Sequence, residues 1–365
     1  MRSKRPVNFD RFLLFTVIIA ALYGIFAIYS ATYSYGTISN VVIQLVSLII
    51  GLIILMIITL FDYEQYGLFI KPIAGVCIFL LVLVLIIGKS GDWGAQSWIR
   101  IGPIGIQPAE FAKIGFIITF SYHLDKVSDK LNKPVNILLL ILHLMVPVGL
   151  ILLQPDAGSA MVFIFIFIVM LFVAGISYKY IIPAIILGVV SVPLIYMFVL
   201  SDFQKHRIMV FLNPELDKLG SGYNVIQSKI AVGSGGFFGK GYLKGTQNQL
   251  GFLPTKHTDF IFSVIAEELG FIGAALVIIL LFTIILRCIR TAMISQTSLG
   301  KYLCTGVSAM LIFHTVENVG MCIGLMPVTG IPLPFFSYGG SSLITNLIAI
   351  GLVMSVSFHS ARRVY

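Results

Sequence analysis

Long apolar runs, separated by short polar turns, repeat along almost the entire chain. As a helix rising ~1.5 Å per residue, each is long enough to cross ~30 Å of hydrocarbon. Ten spans are predicted: 12–31, 41–60, 70–88, 108–124, 135–153, 158–175, 181–200, 259–286, 302–321 and 341–359. The fourth is the most polar, because it holds Glu110 and Lys113. The fifth and sixth are divided only by Gln154-Pro155-Asp156. An even number of spans puts both termini on one side.

Composition agrees with this pattern. Of 365 residues, 58% are hydrophobic and 11% charged, and mean hydropathy is +1.01. A soluble domain carries about 25% charged residues. The prediction is an all-α polytopic membrane protein, with residues 1–365 as a single membrane domain and a long loop, 201–258, between spans seven and eight.

Charge orients it. With cytoplasmic termini, the inner segments hold most of the 24 Lys and Arg residues, and the short outer loops hold only Lys89 and Arg100. This is the asymmetry expected of cytoplasmic loops. Segments 89–107, 154–157, 201–258 and 322–340 therefore face outward. The same sorting accounts for most of the +9 net charge, so nucleic acid is not an expected partner. Basic residues precede the first span, but its apolar run is full length and lacks a small-residue cleavage site, so no cleavable signal is expected. Cys77, Cys288, Cys304 and Cys322 have no CxxC spacing and read as small buried hydrophobes.

Several polar clusters are candidates for chemistry. Trp93 and Trp98 both lie in segment 89–107. Trp93 reads as an interfacial anchor. Trp98 and Arg100 can offer an aromatic face and a cation to a sugar and a phosphate. Gln107, Glu110 and Lys113 are spaced by three on a helix opened by Pro108, so they share one broad face. Charge inside a span is costly unless it faces the bundle interior or water. Asp156 reads as an N-cap for the sixth helix.

The long loop carries Arg207, Gln227, Lys229, Lys240 and a glycine-rich run, Gly233-Ser234-Gly235-Gly236-Phe237-Phe238-Gly239-Lys240-Gly241. It is not a P-loop: Ser234 and Gly241 break the pattern, and Phe238 breaks GxGxxG. Glycine N–H groups with Lys229, Lys240 and Lys244 can still cradle a pyrophosphate. The loop ends in Lys256-His257-Thr258-Asp259 and runs straight into an apolar span. Asp259 is expected at or next to the start of that helix, either as a plain N-cap or as a general base beside Lys256 and His257. Glu267, Glu268, His314 and Glu317 lie deeper. Segment 322–340 is apolar but holds Pro327, Pro332 and Pro334, so it is expected to be irregular and to line a cavity.

Six stretches now resemble one family in the expected order. They are Trp98-Ile99-Arg100-Ile101-Gly102, Gln107-Pro108-Ala109-Glu110-Phe111-Ala112-Lys113, Leu153-Gln154-Pro155-Asp156-Ala157-Gly158, Ile230-Ala231-Val232-Gly233-Ser234-Gly235-Gly236, Leu253-Pro254-Thr255-Lys256-His257-Thr258-Asp259-Phe260-Ile261-Phe262 and Pro332-Leu333-Pro334-Phe335-Phe336-Ser337-Tyr338-Gly339-Gly340-Ser341-Ser342. The chain resembles the SEDS (shape, elongation, division and sporulation) proteins, the RodA type more than the division type FtsW. The resemblance implies ten helices and a peptidoglycan glycosyltransferase that polymerises lipid II outside the cytoplasmic membrane, for cell-wall elongation and shape. It implies a class B penicillin-binding protein as partner. It places the family's essential acid on Asp259, its functional tryptophan on Trp98 and its polar fourth-helix residues on Glu110 and Lys113. The family usually has Glu before Lys/His-Thr-Asp, where Thr255 stands here.

On this reading Asp259 takes a proton from the acceptor sugar, and Lys113, Arg100, Arg207, Lys240 or a divalent ion meets the charge of the leaving pyrophosphate. No organic cofactor is expected; Mg²⁺ or Mn²⁺ can accompany the pyrophosphate. A lipid II flippase uses many of the same intramembrane polar groups and is the alternative. A scaffold that only activates its partner leaves the outer clusters unexplained.

Overall fold

The computed structural model describes residues 9–90, 96–101, 104–198, 202–217 and 220–362. Within them the chain is a helical bundle. The helices are α1 (Arg11–Tyr33), α2 (Ser39–Leu60), α3 (Ile70–Ile87), α4 (Pro108–Val127), α5 (Pro134–Leu152), α6 (Ala157–Ala174), α7 (Tyr178–Phe198), α8 (Asp202–Leu212), α9 (Ser221–Ser234), α10 (Thr246–Gln249), α11 (Ile261–Ile294), α12 (Ser298–Cys322) and α13 (Gly340–Arg362). Eight of these, among the described residues, are long and apolar enough to cross a membrane. Helices α4 and α7 occupy the other two predicted positions. The charges on α4 set it apart, but it packs between α3, α12, α13 and α5. The protein is an all-α polytopic membrane protein.

Local chemistry sets the helix ends. Asp10 caps α1 by accepting from Leu13 N at 3.0 Å, and Arg287 of α11 grips the same carboxylate at 2.6 Å. Asp156 caps α6 as predicted, accepting from Ser159 N at 2.9 Å. That helix closes on Gly175, whose φ of 89° suits a residue without Cβ. The most buried spans are α13 and α12; α3 is the least buried. Helix α12 packs against α11, α6 and α4, and α13 lies along α2.

Three features differ from simple spans and loops. Segment 89–107 contains an antiparallel sheet of β1 (Lys89–Ser90), β2 (Gln96–Ile101) and β3 (Ile104–Ile106). Arg100 pairs with Gly105 and Ile99 with Ile106. The loop after α7 is largely helical: α8, α9 and α10 lie within it, with a 3₁₀ turn at Pro214–Asp217. Segment 323–339 is irregular, as its prolines require, with positive φ at Gly324, Gly330 and Phe335.

A further departure is a break inside α11. Gly270 has φ 67° and ψ −161°, which interrupts the ladder. The freed groups find partners in the glycine-rich loop: Lys240 N donates to Glu267 O, Gly241 N to Glu268 O, and Phe271 N to Gly236 O. Backbones this close leave no room for side chains. A Cβ on Gly235 would sit 1.9 Å from Ala266 O, and one on Gly239 2.1 Å from Glu268 O. The glycines expected to cradle a pyrophosphate are instead the surface that seals a discontinuous helix.

Candidate active site

Asp259 stands on a tight turn. Thr255 adopts φ 44°, and its carbonyl accepts from the N–H groups of Thr258, Asp259 and Phe260. Helix α11 begins only at Ile261, after Phe260. Asp259 therefore sits beside the helix start, one residue before the N-cap position. The turn is fixed from two sides. Asn318 Nδ2 of α12 donates to Asp259 O at 2.9 Å. Ser337 Oγ donates to Thr258 O at 2.6 Å, and Tyr338 N to His257 O at 2.8 Å. The residue is 6% exposed, so its carboxylate is nearly withdrawn from solvent.

A cation accompanies it. Burial lowers the pKa of the Arg207 guanidinium on α8, while the charges of Asp156 and Asp259 raise it. Arg207 Nη1 also donates to Val328 O in the irregular segment, at 3.4 Å. Asp156 accepts from Ser159 Oγ at 2.8 Å and from Gln107 Nε2 at 3.4 Å. The start of α4, the cap of α6, the basic helix α8 and the Asp259 turn thus converge.

One turn further along α4, the predicted polar face is present. Lys113 Nζ lies 2.7 Å from Glu110 Oε1 and 2.9 Å from His314 Nε2 of α12. Thr345 Oγ1 of α13 donates to Glu110 Oε2 at 3.4 Å. Both charged residues are buried. Glu317, one residue before Asn318, accepts from Thr329 Oγ1 at 2.9 Å. Asn318, Thr345 and Ser337 received no role from sequence. Polar residues four apart on an apolar helix, His314 and Asn318, were the available signal.

The remaining candidates divide in two. Trp98 and Arg100, two apart on β2, share one face of the sheet. Trp98 lies over Gly105, where a Cβ would come within 3.0 Å of the indole, and Arg100 is exposed. Trp93 lies outside the described residues. On α9, Gln227 is half-buried and Lys229 exposed, its stem against Gly324. Lys240 and Lys256, by contrast, are committed to the fold. Lys240 Nζ binds Glu267 Oε1 at 2.8 Å and Thr246 Oγ1 at 2.7 Å. Lys256 is buried, donating to Asn248 O at 2.6 Å and Ser34 Oγ at 2.7 Å, over the ring of Tyr35. The His257 ring stands between Tyr35 and Tyr338.

Glu267 and Glu268 are also structural. Glu267 accepts from Lys240 Nζ, Thr246 Oγ1, Gln247 N and Asn248 N. Glu268 accepts from Ser30 Oγ, Leu243 N, Asn248 Nδ2 and Gln249 Nε2. Two buried carboxylates are in this way saturated by donors from α1 and the loop. Among the described residues no three His, Cys, Asp or Glu side chains converge as a metal site. The described residues therefore build no protein cage for a divalent cation.

A family model described as "Cell cycle protein", of FtsW/RodA/SpoVE type, matches residues 10–362. The chain belongs to this family. A relative from Trichlorobacter lovleyi, "Probable peptidoglycan glycosyltransferase FtsW", is 39% identical, covering 97% of this chain and 94% of its own. "Peptidoglycan glycosyltransferase MrdB" of Escherichia coli (strain K12) is 36% identical, with the same coverage of each chain. Among solved structures, a chain from a peptidoglycan synthase complex, described as coordinating polymerization and crosslinking, superposes with a TM-score of 0.81 at 32% identity. It covers 96% of this chain and 98% of its own. The Thermus thermophilus rod shape determining protein RodA superposes with a TM-score of 0.72 at 30% identity, covering 95% of this chain and 96% of its own. The family's fold is therefore present over nearly the whole length.

Proposed function

We propose that this protein is a peptidoglycan glycosyltransferase that polymerises lipid II on the outer face of the cytoplasmic membrane. Both termini are then cytoplasmic, and a class B penicillin-binding protein supplies crosslinking. The activity named for its relatives supports this reading. The observation that carries it at residue level is the buried Asp259 carboxylate, on a clamped turn and in the field of Arg207.

In this mechanism Asp259 accepts the proton of the acceptor's GlcNAc 4-hydroxyl. The oxygen attacks C1 of the donor sugar, and the C1–O bond to undecaprenyl pyrophosphate breaks. The Arg207 guanidinium and the Asp259 carboxylate attract each other across the site, and the Asp259 turn is nearly closed to solvent. Arg207 and Lys113, with Arg100 at the rim, meet the charge that develops on the leaving group. Trp98 offers a ring face to a sugar. Gln107, Glu110, Gln227, Lys229 and His257 complete the substrate walls, while Lys240 and Lys256 hold those walls in shape.

The test is polymerisation of lipid II by purified protein in detergent, where no sidedness exists. Glycan strands from wild type and none from Asp259→Asn are expected. Wild-type rates from Asp259→Asn would remove the base assignment. A complete lack of polymer from wild type with its partner present, alongside lipid II translocation in vesicles, would favour the flippase.

A further inference from the structure

One face of α12 holds both halves of the site. His314, Asn318 and Cys322 are four residues apart in turn, so they form a single stripe. His314 binds the Lys113 ammonium at 2.9 Å. Asn318 binds Asp259 O at 2.9 Å, and Cys322 Sγ lies 3.6 Å from the same oxygen. Between His314 and Asn318 the helix rises about 6 Å. The proposed base and the buried cation are thus indexed to one rigid element, although they belong to α4 and to the turn before α11.

Asn318 is unusually constrained. It is fully buried, and its Nδ2 donates to Asp259 O at 2.9 Å and Ile331 O at 2.8 Å. Both N–H groups of the amide are thereby used. The two acceptors come from different segments: the base-bearing turn and the irregular stretch that also carries Val328, the acceptor for Arg207. Neither segment is helical at the contact; the turn has its own bonds to Thr255 O and those from Ser337 and Tyr338, and the Asn318 amide ties it to α12. The amide is the side-chain donor common to both.

We propose that Asn318 is a positioning residue for the glycosyl transfer. It holds the Asp259 turn at a set distance from Lys113, which His314 holds on the same face. The proposal rests on the assignment of Asp259 as base. Asn318 touches no substrate in this scheme; it acts through Asp259.

The experiment compares Asn318→Asp and Asn318→Leu with wild type and Asp259→Asn, in lipid II polymerisation by the full-length protein, with a thermal melt of each. Asn318→Asp keeps the shape and loses the double donor; Asn318→Leu removes both donors and serves as the harsher variant. A misplacement of about 1 Å can cost about 100-fold in rate. The rate at saturating lipid II is expected to fall by about that factor in Asn318→Asp, with KM within about twofold of wild type, since an effect confined to the transition state leaves KM in place. A loss purely in KM, or a wild-type rate from Asn318→Asp while Asp259→Asn is inactive, would overturn the positioning role and leave the base intact. Activity in Asp259→Asn would overturn the base and the positioning role with it. A rate loss matched by an equal fall in the folded fraction at the assay temperature would also overturn the proposal, because folding alone then explains it.

Discussion

Lys113 and His314 meet at 2.9 Å, Nζ to Nε2, inside the bundle. An ammonium only donates, so Nε2 accepts and the imidazole is the neutral tautomer protonated at Nδ1. Glu110 holds a second ammonium proton at 2.7 Å. The ammonium and the carboxylate balance each other, with a neutral ring beside them, so each buried charge depends on its partner.

Removing that cation alone is therefore expected to be costly. Lys113→Met leaves Glu110 buried without a counter-charge, a loss of about 3–5 kcal/mol. Adding Glu110→Gln should return most of the melting temperature in detergent. Lipid II polymerisation should stay absent in both variants, which separates the structural task of the pair from its chemical one.

The glycine-rich loop gives a paired comparison. Gly235→Ala drives a Cβ into Ala266 O and is expected to destabilise the fold by about 1–3 kcal/mol or more. Gly233, in α9, has open space around its Cβ position. Ala there should stabilise by about 0.5–1 kcal/mol through helix propensity. Equal melting temperatures for the two variants would contradict the close approach.

Lys256 makes stability depend on pH. Burial lowers its pKa below the usual 10.5, and the charge of Glu268 opposes this in part. Between the lowered value and 10.5 the unfolded chain binds the proton and the folded chain does not, so this group makes stability rise with pH. The melting temperature of wild type relative to Lys256→Met should climb as pH approaches 10.5. A flat difference across that range would show that the folded ammonium is not desolvated.

The sheet at the rim gives a test of substrate contact. Arg100 is exposed, so Arg100→Ala should leave the melting temperature nearly unchanged. A lost charge-assisted hydrogen bond of about 1.5–3 kcal/mol predicts a KM for lipid II raised by at least about tenfold. Trp98→Ala should raise KM and also loosen the sheet, since the indole covers Gly105.

Span positions were legible because hydrocarbon imposes one length and one composition on every crossing. Asp156 as a cap and the shared face of Gln107, Glu110 and Lys113 were legible for the same kind of reason: helix geometry is local. The duties of Lys240, Lys256, Glu267 and Glu268 were not, since their partners lie on distant segments and only the fold brings them together. The glycine run looked like an anion cradle because short motifs do not reveal what backbone lies opposite. Asn318 carried no motif; its importance comes entirely from the two carbonyls it joins.

The break at Gly270 sets limits on how the protein can be recombined. Donors from 240–249 and acceptors on Glu267 and Glu268 answer one another across it. A chimera that exchanges the loop but keeps the native helix would strand two buried acids and several carbonyls. The interchangeable cassette therefore runs from α9 through the helix break, and hybrids cut between Gly235 and Phe271 are the ones expected to fail at assembly.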